Sequence, residues 1–296
     1  MKTFSSGFAA HIAQGETTLA RCWRVIRKDG AVLGFTDHDR PLAVSGTICA
    51  PTTGLDSGEM PARLGAQVET GEVIGLLDSA AISETDIELG RYDGARVESW
   101  MVNWQSPSQA ALLRVDTVGE IVREDGVFRA ELRSPQEALN VTRGRIYQGL
   151  CDAEFGDTRC GVDAAQPAYR ANGTVAAVLD PFRLRLSGLG SFAAGWFSLG
   201  LGVWTSGARL DLRDAVMTHL RDDAGDVLVF ADPLGAHVVA GDTVTVTAGC
   251  DRRFATCRDR FENAGNFRGF PHVPGSDFVM RLPRAGDALD GRAVVK

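Results

Sequence analysis

Three Asp-Gly pairs, Asp29-Gly30, Asp93-Gly94 and Asp125-Gly126, punctuate runs of strand-forming residues in the first half of the chain. Asp-Gly is the preferred two-residue hairpin turn because the tightest turn needs positive φ at both central positions, which Gly adopts freely and Asp tolerates. Leu19 to Lys28 and Ala31 to Thr36 flank the first pair and predict a hairpin; Leu112 to Arg123 and Val127 to Leu132 flank the third and predict another. The second pair opens Arg96 to Trp104, in which Val97, Ser99, Met101 and Asn103 alternate with Glu98, Trp100, Val102 and Trp104, so one face is the more apolar. Val73 to Leu77 reads as a further strand. Helical signals are few. Phe4, Phe8 and Ile12 fall four apart on one face of a segment over residues 4–14. Ser83 to Gly90 has the form of a capped turn closed by glycine, and Ser134-Pro135 opens a short helix running toward Arg143.

The second half continues with strands over Tyr169 to Leu179, Phe182 to Leu186, Asp226 to Phe230 and Thr243 to Thr247. The glycine-rich aromatic stretch from Ser191 to Trp204 has a membrane-piercing look, but reads better as two strands or a hairpin whose aromatics fill a barrel. Past Cys257, Gly265, Gly269, Pro271, Pro274 and Gly275 crowd together, so that segment must be held by something other than a strand ladder. The fold class expected is mainly β: two β-barrel- or sandwich-like domains, residues 1–145 and 146–296, with a few short helices and an irregular cysteine-bearing C-terminal segment.

A chain of 296 residues has room for a core in each domain and needs no covalent staple to fold. Its net charge of -7 argues against a surface that neutralises a phosphate backbone, so no nucleic-acid specificity is expected. No apolar run approaches the length of a transmembrane segment. Met1 to Phe8 lacks the apolar region of a secretory signal, which places synthesis in a reducing cytoplasm where disulfides are disfavoured.

The cysteines therefore need another explanation. Cys22 lies in a predicted strand and Cys49 ends an apolar run; both read as small buried hydrophobes. The other four form two loops, Cys151 to Cys160 and Cys250 to Cys257, each with charged residues and a phenylalanine between its cysteines. Two irregular loops that close on one centre are a four-thiolate metal site, although neither spacing is that of a zinc ribbon or a ferredoxin run. Buried or disulfide-linked pairs are the competing reading. An iron-sulfur cluster of net negative charge would draw on Arg159, Arg252, Arg253, Arg258, Arg260 and Arg268, but these also face Asp152, Asp157, Asp251, Asp259 and Glu262 and equally suit a solvated salt-bridge rim. Phe155 and Phe254 are candidate shields. The residues alone leave zinc and an iron-sulfur cluster both open.

Enzyme readings are weaker. A cell-wall-degrading cysteine hydrolase would take Cys151 or Cys250 as nucleophile and His272 or His219 as base, but it needs an activated thiolate rather than paired loops. Asp37-His38-Asp39 reads as a polar turn. No nucleotide-binding glycine fingerprint accompanies the cysteines to support a redox enzyme. No catalytic residues are assigned.

Tyr147-Gln148-Gly149-Leu150-Cys151, Phe155-Gly156-Asp157 and Cys160-Gly161-Val162, followed by Gly249-Cys250-Asp251 and Cys257 through Phe261-Glu262-Asn263-Ala264-Gly265-Asn266-Phe267-Arg268-Gly269-Phe270-Pro271, form a distinctive combination. Over nearly the whole chain it resembles the baseplate hub proteins of gene transfer agents and the tail-tip hubs of tailed phages. That resemblance implies an N-terminal tail-hub domain and a C-terminal domain carrying an iron-sulfur cluster, of the 4Fe-4S type, on Cys151, Cys160, Cys250 and Cys257. It also implies a virion structural protein: a homo-oligomeric ring, trimeric, around the tail channel, with a distal tail protein ring above and a larger hub or fibre protein and a tail-associated peptidase as partners. Assembly into the baseplate of an extracellular particle follows.

Overall fold

A computed structural model describes residues 4–51, 55–57, 70–75, 82–124, 127–141 and 143–273. The chain divides into two compact units, Met1–Arg143 and Gly144–Lys296. The mainly β expectation holds in both.

The first unit contains α1 (Ser6–Ile12), β1 (Leu19–Ile26), β2 (Val32–Thr36), β3 (Leu42–Val44), β4 (Thr47–Pro51), β5 (Leu55–Ser57), β6 (Thr70–Gly75), α2 (Glu84–Glu88), β7 (Arg96–Asn103), β8 (Ala110–Glu124) and β9 (Val127–Arg133). Among the described residues, its strands form one nine-stranded sheet in the order β3-β4-β2-β1-β7-β8-β9-β6-β5. The first Asp-Gly hairpin is present, with Ile26 opposite Val32, but its turn has three residues rather than two. The Arg27 amide donates to the Ala31 carbonyl, and only Gly30 of the loop has positive φ, so the tight turn that needs two such residues gives way to the longer loop. Asp125-Gly126, Met1 to Thr3, Leu76, Leu77, Pro274 and Gly275 lie outside the described residues; β8 and β9 nonetheless pair antiparallel up to Glu124 opposite Val127.

In α1 only Phe8 is buried, while Phe4 and Ile12 stay partly exposed, so the helix docks by one ring rather than by a stripe. Ser83 caps α2 by accepting the Asp86 amide, and Gly90 leaves the helix with φ of 67°, as the capping pattern predicts. The segment after Ser134 is a single turn of 3-10 helix, Pro135–Leu139, and ends at Asn140 instead of reaching Arg143. Strand β7 also departs from simple alternation. A bulge between Ser99 and Trp100 shifts its register, and Glu98 is buried because Arg24 donates to it at 2.6 Å and the Trp100 indole at 3.2 Å.

The second unit is a closed barrel of β10 (Arg170–Val178), β11 (Arg183–Ser187), β12 (Gly200–Trp204), β13 (Arg213–Asp222), β14 (Gly225–Phe230) and β15 (Thr243–Thr247), in the order β10-β11-β14-β13-β12-β15. Closure removes the exposed edges that a six-stranded open sheet would present. The glycine-rich stretch supplies one strand, β12, instead of two; the turns before it carry Phe192, Trp196 and Phe197 into or against the core. Phe197, Trp204, Leu184, Leu228 and Val244 are fully buried there.

One polar cluster is sealed into this barrel. His219 accepts the Phe197 amide at Nδ1, and its Nε2 lies 3.1 Å from Asp226, which also accepts from Arg221 at 2.7 Å. With Nδ1 accepting, Nε2 is the ring nitrogen that faces the Asp226 carboxylate as donor. Burial pushes the Asp226 carboxyl up, but its hydrogen bonds to Arg221 and His219 outweigh burial and hold it below the usual carboxylate range. A carboxyl depressed by folding contributes stability above its unfolded pKa and loses it as pH falls through the folded value. Acid titration below about pH 4 is therefore expected to destabilise the wild-type barrel more than an Asp226→Asn variant, read as the pH dependence of the urea midpoint.

Candidate metal centre

The second unit begins with chain that has no ladder, residues 144–169, and the barrel ends on β15, after which the described chain is again irregular apart from α3 (Phe254–Asp259) and a 3-10 turn, Ala264–Asn266. Both irregular stretches carry the paired cysteines. Cys151 and Cys160 come from the first, Cys250 follows β15, and Cys257 sits on α3. All four line one small recess, walled by Ala153, Phe155, Val162, Phe261, Phe267 and the two asparagines Asn263 and Asn266. All six cysteines of the chain are free thiols.

Each loop has its own organiser. Asp157 accepts the amides of Glu154, Arg159 and Cys160, the last at 2.6 Å, and these bonds, led by that of Cys160, hold its carboxyl below the usual range. Gly156 turns the chain with φ of 84°, and a Cβ there would come within 2.6 Å of the Ala164 methyl. In the second loop Arg252 takes the left-handed conformation, φ 62°, rare for a side chain of its size. That geometry lets its amide donate to the Cys250 sulfur at 3.4 Å while its carbonyl accepts the Cys151 amide at 2.8 Å. A single strained residue thus ties the two loops together.

Asn263 is the other brace. Its side-chain amide donates to the Cys160 carbonyl at 2.7 Å and reaches the Cys160 sulfur at 3.7 Å, while its own carbonyl lies 3.3 Å from the Cys257 sulfur. The Arg268 amide donates to the Cys151 sulfur at 3.4 Å. Three of the four sulfurs therefore face N–H donors, which stabilise thiolates bound to metal.

The arginines do not gather around the sulfurs. Arg159 pairs with Asp152 and Asp157, Arg258 with Asp259, and Arg253 lies 3.9 Å from Asp251, so for these the salt-bridge rim is the reading that holds. Arg252 and Arg268 act through backbone amides. Arg260 lies flat over the Trp196 ring, 4.2 Å from its centroid, and donates to the Trp196 carbonyl. Of the two proposed shields, Phe155 lines the recess, but Phe254 stands behind it and packs edge-on against Phe267, which does the lining.

Burial, and then the charge of the neighbouring cysteines, pushes the Cys257 thiol up to about 11; burial, and then the charges of Asp251, Cys160 and Cys151, raises Cys250 against the lowering bond from the Arg252 amide. Such thiols are poor nucleophiles, and one of the two candidate bases, His219, is engaged with Asp226 inside the barrel. Among the described residues, no three His, Cys, Asp or Glu side chains are grouped closely enough to hold a metal ion as they stand. The four candidate donors are all sulfur and line one recess.

Three comparisons bear on this architecture. The family model described as the baseplate hub protein, N-terminal attachment domain, matches residues 5–163, and that of the phage conserved hypothetical protein BR0599 matches residues 195–277. No curated protein matches the chain. A chain from a solved structure, the virion of a native gene transfer agent particle, is 39% identical and superposes with a TM-score of 0.89, over 97% of this chain and 99% of that one. With more than half its length under the hub model and nearly all of it matched by a virion component, this chain belongs to the phage baseplate hub family and is a structural tail protein.

Proposed function

We propose that the chain is a non-enzymatic baseplate hub that forms a ring, trimeric, around the tail channel, and that a 4Fe-4S cluster on Cys151, Cys160, Cys250 and Cys257 staples its C-terminal unit. The observation that carries the staple is the convergence of four thiols, from segments some 90 residues apart, on one recess with amide donors aimed at their sulfurs. The cluster supplies covalent cross-links between two loops that have no ladder of their own. The chain's residues do the rest: Arg252 and Asn263 hold the loops in register, and Phe155, Phe261 and Phe267 keep water from the sulfurs.

One zinc ion, with its thiolates at about 2.3 Å, would draw four sulfurs to roughly 3.8 Å from one another, whereas a cluster of several atoms holds its thiolates further apart.

Support for the ring comes from the likeness to a chain of a gene transfer agent virion and from large apolar side chains left uncovered, including Ile146 and Tyr147 before the first loop and Leu199, Met217 and Leu220 on the barrel wall. A distal tail protein above, and a larger hub or fibre protein and a tail peptidase nearby, are the partners that this position in a tail implies.

The test is Cys250→Ser in the full chain, purified without oxygen beside the wild type. The wild type is expected to be brown and to contain iron; the variant is expected to be colourless, to lose the urea stability of its C-terminal unit and to yield no infectious or gene-transferring particles. Normal particles from the variant would contradict the staple.

A further inference from the structure

The other two cysteines, which look unrelated in sequence, are brought together in the first unit. Cys22 lies on β1 opposite Thr36 of β2, and its sulfur is 3.4 Å from the Thr36 hydroxyl. Gly34 shares that face of β2, two residues before Thr36. Strand β4 passes directly over it: a Cβ on Gly34 would lie 2.8 Å from the Ile48 carbonyl oxygen and 3.0 Å from both Cα and Sγ of Cys49. The bare glycine leaves the gap through which Cys49 reaches the face that carries Cys22. Both cysteines are fully buried in one small core cluster with Leu42, Val44 and Val102. The two thiols act on each other, which lowers the pKa of Cys22 and raises that of Cys49. One sulfur is thereby the readier nucleophile and the other its resolving partner.

We propose that Cys22 and Cys49 are a disulfide-forming pair, reduced when the chain folds and joined after oxidation by a small-molecule disulfide such as oxidised glutathione. The Cys22 thiolate attacks the small disulfide and releases one small thiol, leaving a mixed disulfide on Cys22. Cys49 then attacks the Cys22 sulfur, forms the protein S–S bond and releases the second thiol. The two protons lost by the cysteines leave on the two small thiols, and the small disulfide is reduced by two electrons. Access comes from the β3–β4 hairpin. Its two strands pair over three residues, Leu42 to Val44 with Thr47 to Cys49, β4 is paired to β2 at Ala50 and Pro51, and the hairpin sits at the end of the sheet, where local opening is easiest. The bond would lock that end of the attachment domain to β1. An oxidising setting rests on the extracellular-particle reading, but the pair's chemistry does not.

The experiment uses the full, metal-loaded chain without denaturant. It is incubated with oxidised glutathione, blocked with iodoacetamide and digested without reduction for mass spectrometry. The expected product is one cross-linked peptide pair joining Cys22 to Cys49, two hydrogens lighter than the sum of its parts. It should form faster in mild urea that opens the hairpin, and iron content should not change. In Cys49→Ala the mixed disulfide is expected to remain trapped on Cys22. Recovery of both cysteines fully carbamidomethylated after prolonged oxidation, or joined to Cys151, Cys160, Cys250 or Cys257 instead, overturns the proposal. Loss of iron in the untreated chain would instead count against the cluster, so the two readings fail separately.

Discussion

Gly249→Ala is expected to cost the C-terminal unit at least about 3 kcal/mol, the upper end for overpacking, and to abolish metal binding although no ligand is altered. A Cβ at this position would lie 1.8 Å from the Ser198 carbonyl oxygen, 2.3 Å from the Leu199 carbonyl carbon and 2.4 Å from the Gly200 amide nitrogen. All three are backbone atoms at the entry to β12, so no rotamer change relieves the collision. Either β12 moves off β15 or residue 249 moves out, and the latter carries Cys250 with it. Gly190→Ala is the matched control, since nothing lies within 4 Å of its Cβ position and its φ is ordinary. Urea denaturation and iron content, measured on both variants, check the expectation: near-wild-type values for Gly190→Ala and loss of both for Gly249→Ala.

The second large effect is expected in the barrel itself. Trp204 is fully buried, stacks on Phe230 with ring centroids 6.2 Å apart and donates its indole N–H to Asp214 at 2.6 Å. Trp204→Ala is expected to destabilise the unit by about 3–5 kcal/mol, the usual range for removing a buried aromatic. Because Trp204 pairs with Val244 on β15, the strand that leads to Cys250, metal retention should fall with stability. Trp204→Phe keeps most of the volume and gives up the indole bond; Arg209 still donates to Asp214, so its loss should be clearly smaller. Thermal or urea unfolding of the two variants separates the volume from the hydrogen bond.

Local signals in the sequence were the readable ones. The Asp29-Gly30 hairpin, the Ser83-to-Gly90 capped turn and the strand runs from Thr243 to Thr247 and Asp226 to Phe230 are encoded within a few residues, and each is present in the fold. The turn at Asp29-Gly30 came out a residue longer because turn type depends on how β1 and β2 are twisted, which their neighbours in the sheet decide. The region from Ser191 to Trp204 was misjudged as two strands because its aromatics reach the core from turns, and burial without a ladder leaves no period-two trace. Strand β13 leaves a weak trace: apolar Met217 and Leu220 are exposed while polar His219 is buried, and a register shift between Val216 and Thr218 breaks the alternation.

The metal-binding candidates show the same division. Four cysteines in two loops are visible in any reading of the chain, and the recess brings them together. The groups that hold them there are not. Arg252 looks like one more surface cation until its left-handed backbone is seen to bridge Cys250 and Cys151, and Asn263 looks like a turn residue until it spans Cys160 and Cys257. Both act through backbone or amide groups, which nearly every residue possesses, so residue identity carries little signal. The Cys22 and Cys49 pair was hidden for a related reason: they meet only because β4 crosses β2 at a glycine.

The central claim is that four distant sulfurs share one multinuclear centre. Its most direct test is the quantity of iron and acid-labile sulfide in the full chain purified without oxygen. About four of each per chain is the result expected for a 4Fe-4S cluster on Cys151, Cys160, Cys250 and Cys257. A single zinc with no iron, or no bound metal at all, would contradict it.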